Sequence, residues 1–158
     1  MLTVVFDLVV AIEVGLVLAA ILFMKRMSDV TRVEGWKYPT EEEDESTLMK
    51  VPANTLVYEI SGPMFFGAAD KLLQIGVQEE TNCLILRMRS VNAIDATAMK
   101  NFEKLLDICK QKKVTLVFSH VNEQPMKVMS KSGFDKRVGL ENFCAHIDAA
   151  INRAKDLQ

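Results

Sequence analysis

Residues 83–88 read CLILRM, a short apolar run with Asn82 before it and Asn92 after it. A continuous apolar run of this length is typical of a strand that is covered on both faces of its sheet. Two other stretches, TLVYEIS at residues 55–61 and VTLVFS at residues 114–119, are rich in β-branched and aromatic residues. The sequence therefore predicts three strands, with 83–88 at the centre.

Segments with helical spacing of apolar residues separate and follow these strands. We predict helices over Ala68–Glu80, from an N-cap at Asp95 to Lys113, over Gln124–Ser132 and over Glu141–Leu157. Phe134–Leu140 is expected to be a connector with room for a small strand. Strands that alternate with helices indicate an α/β fold, in which helices cover a mainly parallel sheet.

The amino-terminal segment is almost entirely apolar. As a helix, Leu2–Met24 would be about 34 Å long, enough to cross a hydrocarbon core of about 30 Å. Lys25, Arg26 and Arg32 follow this segment, whereas a secretory signal peptide carries its positive charges first. The positive-inside bias then places the rest of the chain in the cytoplasm.

Two carboxylates interrupt the apolar segment, Asp7 and Glu13. Such groups near the bilayer centre normally face protein or a water-filled cavity. Ala11, Gly15 and Ala19 form a small-residue ridge that allows another helix to approach closely, and Asp7 lies on the same face. We expect Asp7 and Glu13 to be intramembrane polar residues within a larger helical bundle; a single-span anchor is the alternative.

Residues 28–50 lack apolar periodicity and contain the acidic run Glu41–Glu45. The sequence thus divides into a transmembrane helix (1–27), an acidic linker (28–50) and a cytoplasmic folded domain (51–158). The net charge of −2 offers no basic face for nucleic acid. The three cysteines have no metal-ligand or disulfide spacing, and we interpret Cys83 and Cys109 as small core residues.

The order of these segments resembles the carboxy-terminal end of a SulP-type sulfate permease, which consists of the last membrane helix and a STAS domain. The resemblance covers nearly the whole chain. It rests on three stretches: TVVFDLVVAIEVGLVLAAILFMKRM at 3–27, VYEISGPMFFGAADKL at 57–72 and AIDATAMKNFEKLL at 93–106. The first two together are specific, and the third is weaker alone.

The resemblance implies a STAS-like fold, similar to anti-sigma factor antagonists, below the membrane part of a multi-span transporter. The substrate class would be sulfate, bicarbonate or dicarboxylate anions, and the protein would lie in the cell (inner) membrane with its STAS domain in the cytoplasm. The domain would regulate transport through contacts with the membrane part of the same protein, a second copy or a soluble regulatory protein, and membrane lipid would surround the helix.

Anti-sigma factor antagonists carry a phosphorylated serine directly after the aspartate that matches Asp95. Here that position is Ala96, which has no hydroxyl, so Thr97 is the neighbouring residue that could accept phosphate; we interpret it as a first-turn residue that bonds the backbone. We expect protein contacts at two loops. Their candidate residues are Gly62, Pro63, Phe65, Phe66, Asp95, Ala96 and Thr97.

No catalytic constellation, cofactor motif or metal-ligand pattern is present in the sequence. Neither His120 nor His146 has a nucleophile or carboxylate at a spacing that indicates a shared site, so each is interpreted as a surface or helix-face residue, and we expect no enzymatic activity. Two alternatives to the transporter remain, a stand-alone membrane-tethered STAS binding module and an anti-sigma factor antagonist-like regulator. The apolar helix and Ala96 argue against a soluble form of the latter.

Overall fold

The computed structural model of the protein describes residues 2–35, 51–76 and 80–157. The first element, α1, is a 29-residue helix, Leu2–Val30. Within the described residues it is the one helix long and apolar enough to cross a membrane, over Asp7–Arg26 with a mean hydropathy of 2.4. Its side chains from Asp7 to Arg26 are exposed, so this part of α1 packs no apolar face against the other described residues.

The first strand, β1 (Arg32–Gly35), corrects the predicted linker. We expected the helix to end at residue 27 and residues 28–50 to be a solvated connection, but α1 continues to Val30 and β1 joins the sheet. Val33 lies opposite Ile60 and packs against the core. A four-residue strand with one apolar residue has no periodicity to detect. The acidic run Glu41–Glu45 lies outside the described residues.

The described residues form a sheet of five strands, which lie in the order of the chain. After β1 these are β2 (Thr55–Ser61), β3 (Cys83–Ser90), β4 (Thr115–Ser119) and β5 (Phe143–Cys144). β1 runs antiparallel to β2, and all other neighbours are parallel. The mainly parallel sheet with a central β3 is therefore confirmed.

Helices cover both faces of this sheet. A 3₁₀ helix (Phe66–Gln74) follows β2, and α2 (Ala96–Gln111) follows β3. Between β4 and β5 lie α3 (Glu123–Lys131), α4 (Phe134–Val138) and a 3₁₀ turn (Leu140–Asn142). All of these except the turn contribute buried residues to one apolar cluster. The last helix, α5 (Ile147–Asp156), covers the opposite face.

Aromatic packing explains two errors in the predicted elements. The connector predicted over Phe134–Leu140 contains the helix α4 (Phe134–Val138) rather than a small strand, because Phe134 is fully buried with its ring 5.8 Å from Phe118. The predicted helix Glu141–Leu157 begins only at Ile147, because Phe143 stacks on Phe118 at 5.0 Å and pairs with β4. Tertiary contacts thus override helical spacing in this region.

The helix predicted over Ala68–Glu80 is replaced by the 3₁₀ helix Phe66–Gln74. Ile75 follows with an extended backbone, φ −62° and ψ 111°, and its side chain is buried in the core. The backbone therefore leaves the helical conformation at the point where an apolar side chain reaches the core. Residues 77–79 of the predicted helix lie outside the described part of the chain.

Candidate functional site at the junction of the apolar helix and the sheet

The junction between α1 and the sheet is held by Thr31, the residue between α1 and β1. Thr31 is fully buried, and its hydroxyl donates a hydrogen bond to the carbonyl oxygen of Pro63 at 2.5 Å. The ammonium group of Lys71 donates to the carbonyl oxygen of Thr31, also at 2.5 Å. The end of the apolar helix is therefore fixed directly to the loop after β2.

Gly62 makes this close approach possible. Its φ is +91°, a backbone conformation that side chains disfavour, and a Cβ at this position would lie 3.2 Å from Cα of Thr31 and 3.4 Å from the carbonyl oxygen of Val30. The backbone of the loop lies against the backbone of the helix end. A displacement of either segment must therefore be accommodated by the other.

The two loops that we predicted to make protein contacts are joined to each other. The backbone N–H of Met64 donates to the carbonyl oxygen of Ala93 at 2.9 Å, and that of Asp95 donates to the carbonyl oxygen of Met64 at 3.2 Å. Met64 is fully buried beneath this bridge. We call residues 62–65 and 91–95 the junction loops. They form one hydrogen-bonded unit at the carboxyl ends of β2 and β3.

Asp95 caps α2, as the sequence indicated. Its Oδ1 accepts a hydrogen bond from the backbone N–H of Ala98 at 2.8 Å. Ala96 is exposed, whereas Thr97 and Phe65 are half-buried. Phe66 begins the 3₁₀ helix. The predicted loop residues are thus brought together around the Met64 bridge, and Ala96 is the exposed one among those whose side chains are described.

Asp7 and Glu13 lie far from this unit. Both are exposed on α1, and Glu13 precedes Thr31 by more than four helical turns. The structure therefore divides the predicted site residues into two groups, one on the apolar helix and one at the junction.

Two residues that no sequence pattern marked, Asn122 and Gln124, hold the second junction loop. The amide of Asn122 donates to the carbonyl oxygens of Arg89 and Val91 at 2.9 and 2.8 Å. The side chain of Gln124 accepts from the N–H of Ile94 at 3.0 Å and donates to its carbonyl oxygen at 3.2 Å. These contacts join residues about thirty positions apart, so no local sequence signal could reveal them.

The structure brings the two histidines of the sequence together. His120 follows β4 and His146 precedes α5, and their nearest ring nitrogens are 3.3 Å apart. In the part of the chain that is described, no group of three or more His, Cys, Asp or Glu side chains is arranged to hold a metal ion. The histidines nevertheless form a pair that their separation in the sequence did not indicate.

Two of the cysteines have the environment of core residues. Burial raises the pKa of the Cys83 thiol to about 12 and that of the Cys109 thiol to about 11. Cys144 is half-buried, and burial raises its pKa as well. Raised thiol pKa values disfavour the thiolate, which is the nucleophilic form.

Comparisons with known proteins identify the fold. The family model of the STAS domain matches residues 46–150. The Bacillus subtilis (strain 168) protein YvdB, which carries the name of a sulfate transporter, is 33% identical over 153 residues, covering 93% of this chain and 27% of its own length. The chain thus spans about a quarter of that relative, and the match includes α1 as well as the sheet.

Two crystal structures are similar to the α/β part. A sulfate transporter family protein from Wolinella succinogenes is 39% identical, with a TM-score of 0.63, covering 68% of this chain and 89% of that chain. The STAS domain of a SulP transporter from Vibrio cholerae is 27% identical, with a TM-score of 0.59, covering 67% of this chain and 84% of that chain. Since the family model matches more than half of the chain, the protein belongs to the STAS domain family.

Proposed function

We propose that this chain is the carboxy-terminal part of a SulP-type anion transporter, in which the STAS domain regulates transport from the cytoplasmic side of the cell (inner) membrane. α1 would be the last membrane helix of a multi-pass protein. Lys25, Arg26 and Arg32 at its end favour a cytoplasmic STAS domain. The name of YvdB supports an anion of the sulfate class, and the resemblance to SulP permeases adds bicarbonate and dicarboxylate as the other candidate anions.

The observation that carries this proposal is the contact between Thr31 and Pro63, with Gly62 packed against the helix end. A domain that was connected to the membrane helix by a solvated linker could move without affecting that helix. Here a part-buried hydrogen bond and a close backbone approach join the domain directly to the end of the helix. The junction loops would therefore transmit the position of the STAS domain to α1.

Partners of the STAS domain would bind at the exposed side of the junction loops, where Ala96 lies at the start of α2. The candidates are the membrane part of the same protein, a second copy or a soluble regulatory protein. The domain would act by binding rather than by catalysis. Asp7 and Glu13 would face neighbouring membrane helices or a polar path, since lipid disfavours exposed carboxylates.

The experiment uses the complete reading frame that contains this chain, expressed in cells that lack their own sulfate uptake. Uptake of labelled sulfate is compared between the natural protein, a form without residues 51–158 and the variant Gly62→Ala. A Cβ at positive φ costs about 1–2 kcal/mol by itself. Gly133→Ala is the matched control, because Gly133 also has positive φ, +71°, but a Cβ added there would meet no atom within 4 Å.

We expect Gly62→Ala to change sulfate uptake by about fivefold or more at equal amounts of protein in the membrane, which is a typical coupling effect. Gly133→Ala should leave uptake near the natural level. Thr31→Val, which removes the hydroxyl, should change sulfate uptake as Gly62→Ala does. Thr31→Ser, which keeps the hydroxyl, should leave uptake near the natural level. Equal uptake in all variants, including the deletion, would show that the domain does not regulate transport.

A further inference from the structure

The two histidines of the chain converge on one point at the carboxyl edge of the sheet. Nε2 of His120 and Nδ1 of His146 are 3.3 Å apart, and the rings are nearly edge to face with centroids 5.1 Å apart. His120 has a left-handed backbone, φ +53°, and its N–H donates to the carbonyl oxygen of Cys144 at 3.1 Å. This backbone turn directs the end of β4 toward the segment before α5.

The separation of the two nitrogens fits a shared metal ion. Two zinc–nitrogen bonds of 2.0–2.1 Å at the tetrahedral angle place the nitrogens about 3.3 Å apart. The same separation also accommodates a hydrogen bond between the rings. The two states compete, since a metal ion requires a lone pair on both nitrogens, whereas the hydrogen bond requires a proton on one of them.

Ser119 can hold His120 in the tautomer that binds metal, because its hydroxyl can accept as well as donate a hydrogen bond. Its hydroxyl, in a fully buried residue, lies 3.3 Å from Nδ1 of His120. When Nδ1–H donates to this hydroxyl, Nε2 keeps its lone pair and directs it toward His146. Histidines that bind metal commonly donate their second N–H to such an outer partner, which fixes the ring.

The surroundings leave room for further ligands. An open cavity of about 450 Å³ lies beside His120, and its lining includes Asn122, Met126, Phe143 and Cys144. No third carboxylate, thiol or imidazole completes a set with the two histidines among the described residues. The remaining coordination positions would therefore be occupied by water or by a side chain from another molecule.

We propose that His120 and His146 form a two-histidine site for a divalent transition-metal ion of the zinc type, with Nε2 of His120 and Nδ1 of His146 as its protein ligands. Imidazole ligands select such ions over Mg²⁺ and Ca²⁺, which prefer oxygen. This site does not depend on the transport function proposed above.

The test measures Zn²⁺ binding by calorimetry to the full chain, purified in detergent without a polyhistidine tag and in excess Mg²⁺. The excess Mg²⁺ is added to compete with Zn²⁺ for the carboxylates of the acidic run Glu41–Glu45, since Mg²⁺ prefers oxygen ligands. We expect one Zn²⁺ per chain. His120→Asn and His146→Gln should each abolish this binding. Asparagine is chosen at position 120 because it tolerates positive φ.

Two further variants separate this site from zinc binding elsewhere in the chain. Cys144→Ser should bind Zn²⁺ as tightly as the natural chain, whereas loss of binding would assign the ion to the cysteine. Ser119→Ala should weaken binding about tenfold through loss of the outer partner. Undetectable Zn²⁺ binding by the natural chain, or binding that survives both histidine substitutions, would overturn the proposal. Melting curves without metal check that each variant is folded.

Discussion

The guanidinium group of Arg87 lies 3.0 Å from the carboxylate of Glu59, and the two residues face each other across the parallel strands β2 and β3. The side chain of Arg87 is only 2% exposed, whereas that of Glu59 is 24% exposed. Burial of one charge is thus nearly complete and that of the other is partial. Removal of the carboxylate and removal of the guanidinium group are therefore expected to lower the free energy of unfolding by different amounts.

We predict that Glu59→Gln destabilises the chain more than Arg87→Met does. Loss of the carboxylate removes the opposite charge that Glu59 places beside a buried guanidinium, which costs about 3 kcal/mol in the free energy of unfolding. Loss of the guanidinium leaves a carboxylate that still contacts water, and methionine fills much of the vacated volume. Urea unfolding followed by circular dichroism measures both free energies. Equal losses would show that burial does not decide the effect.

The cap of α2 gives a second prediction. Asp95→Ala removes the acceptor for the N–H of Ala98 and should lower the free energy of unfolding by about 1 kcal/mol. Asp95→Asn keeps a capping oxygen and should lower it by less. The same urea experiment distinguishes them. If both variants lose the same amount, the negative charge rather than the hydrogen bond stabilises this helix end.

Sequence patterns predicted the elements that depend on interactions between residues close together in the sequence. The strand Thr55–Ser61 agrees residue for residue with β2, and the cap at Asp95 forms as expected, because apolar runs and capping residues act over a few positions. The apolar helix was likewise recognisable from its length and composition, although its end was placed three residues early. The α/β class followed from the alternation of these elements.

Contacts between residues far apart in the sequence determined the elements and site contacts that local patterns did not predict. Phe143 is a strand residue because it stacks on Phe118, and spacing alone assigned it to a helix. The hydrogen bond from Thr31 to Pro63 spans 32 positions, and the contact between the histidines spans 26. No local signal marks such pairs, so the predicted loops could be placed but not the residue that fixes them to the helix.

Thiol reactivity gives a third prediction. Burial raises the pKa of Cys83 from 9.0 to about 12, so its thiolate fraction near pH 8 falls roughly a thousandfold. Cys109, with its pKa raised to about 11, should also resist alkylation in the folded chain. Cys144 is half-buried and should react first. Mass spectrometry after timed alkylation gives the order, with the urea-unfolded chain as the control in which all three react.

The contact between Ser130 and Asp135 predicts how stability depends on pH. The hydroxyl of Ser130 donates to Oδ2 of Asp135 at 2.7 Å, and this hydrogen bond lowers the pKa of the carboxyl group below 3.8. A lowered pKa in the folded state stabilises the fold above pH 3.8. That stabilisation is lost as the pH falls through the folded-state pKa, because both states are then protonated.

Ser130→Ala should therefore destabilise the chain at neutral pH. Its loss of unfolding free energy relative to the natural chain should shrink as the pH falls below about 4. Ser132→Ala is the matched control, because the hydroxyl of Ser132 donates to the carbonyl oxygen of Met129, which does not titrate in this range. The loss of unfolding free energy caused by Ser132→Ala should not change with pH. Urea midpoints measured across this pH range compare the two variants. If the loss of unfolding free energy caused by Ser130→Ala does not change with pH, Ser130 stabilises the fold without shifting the titration of Asp135.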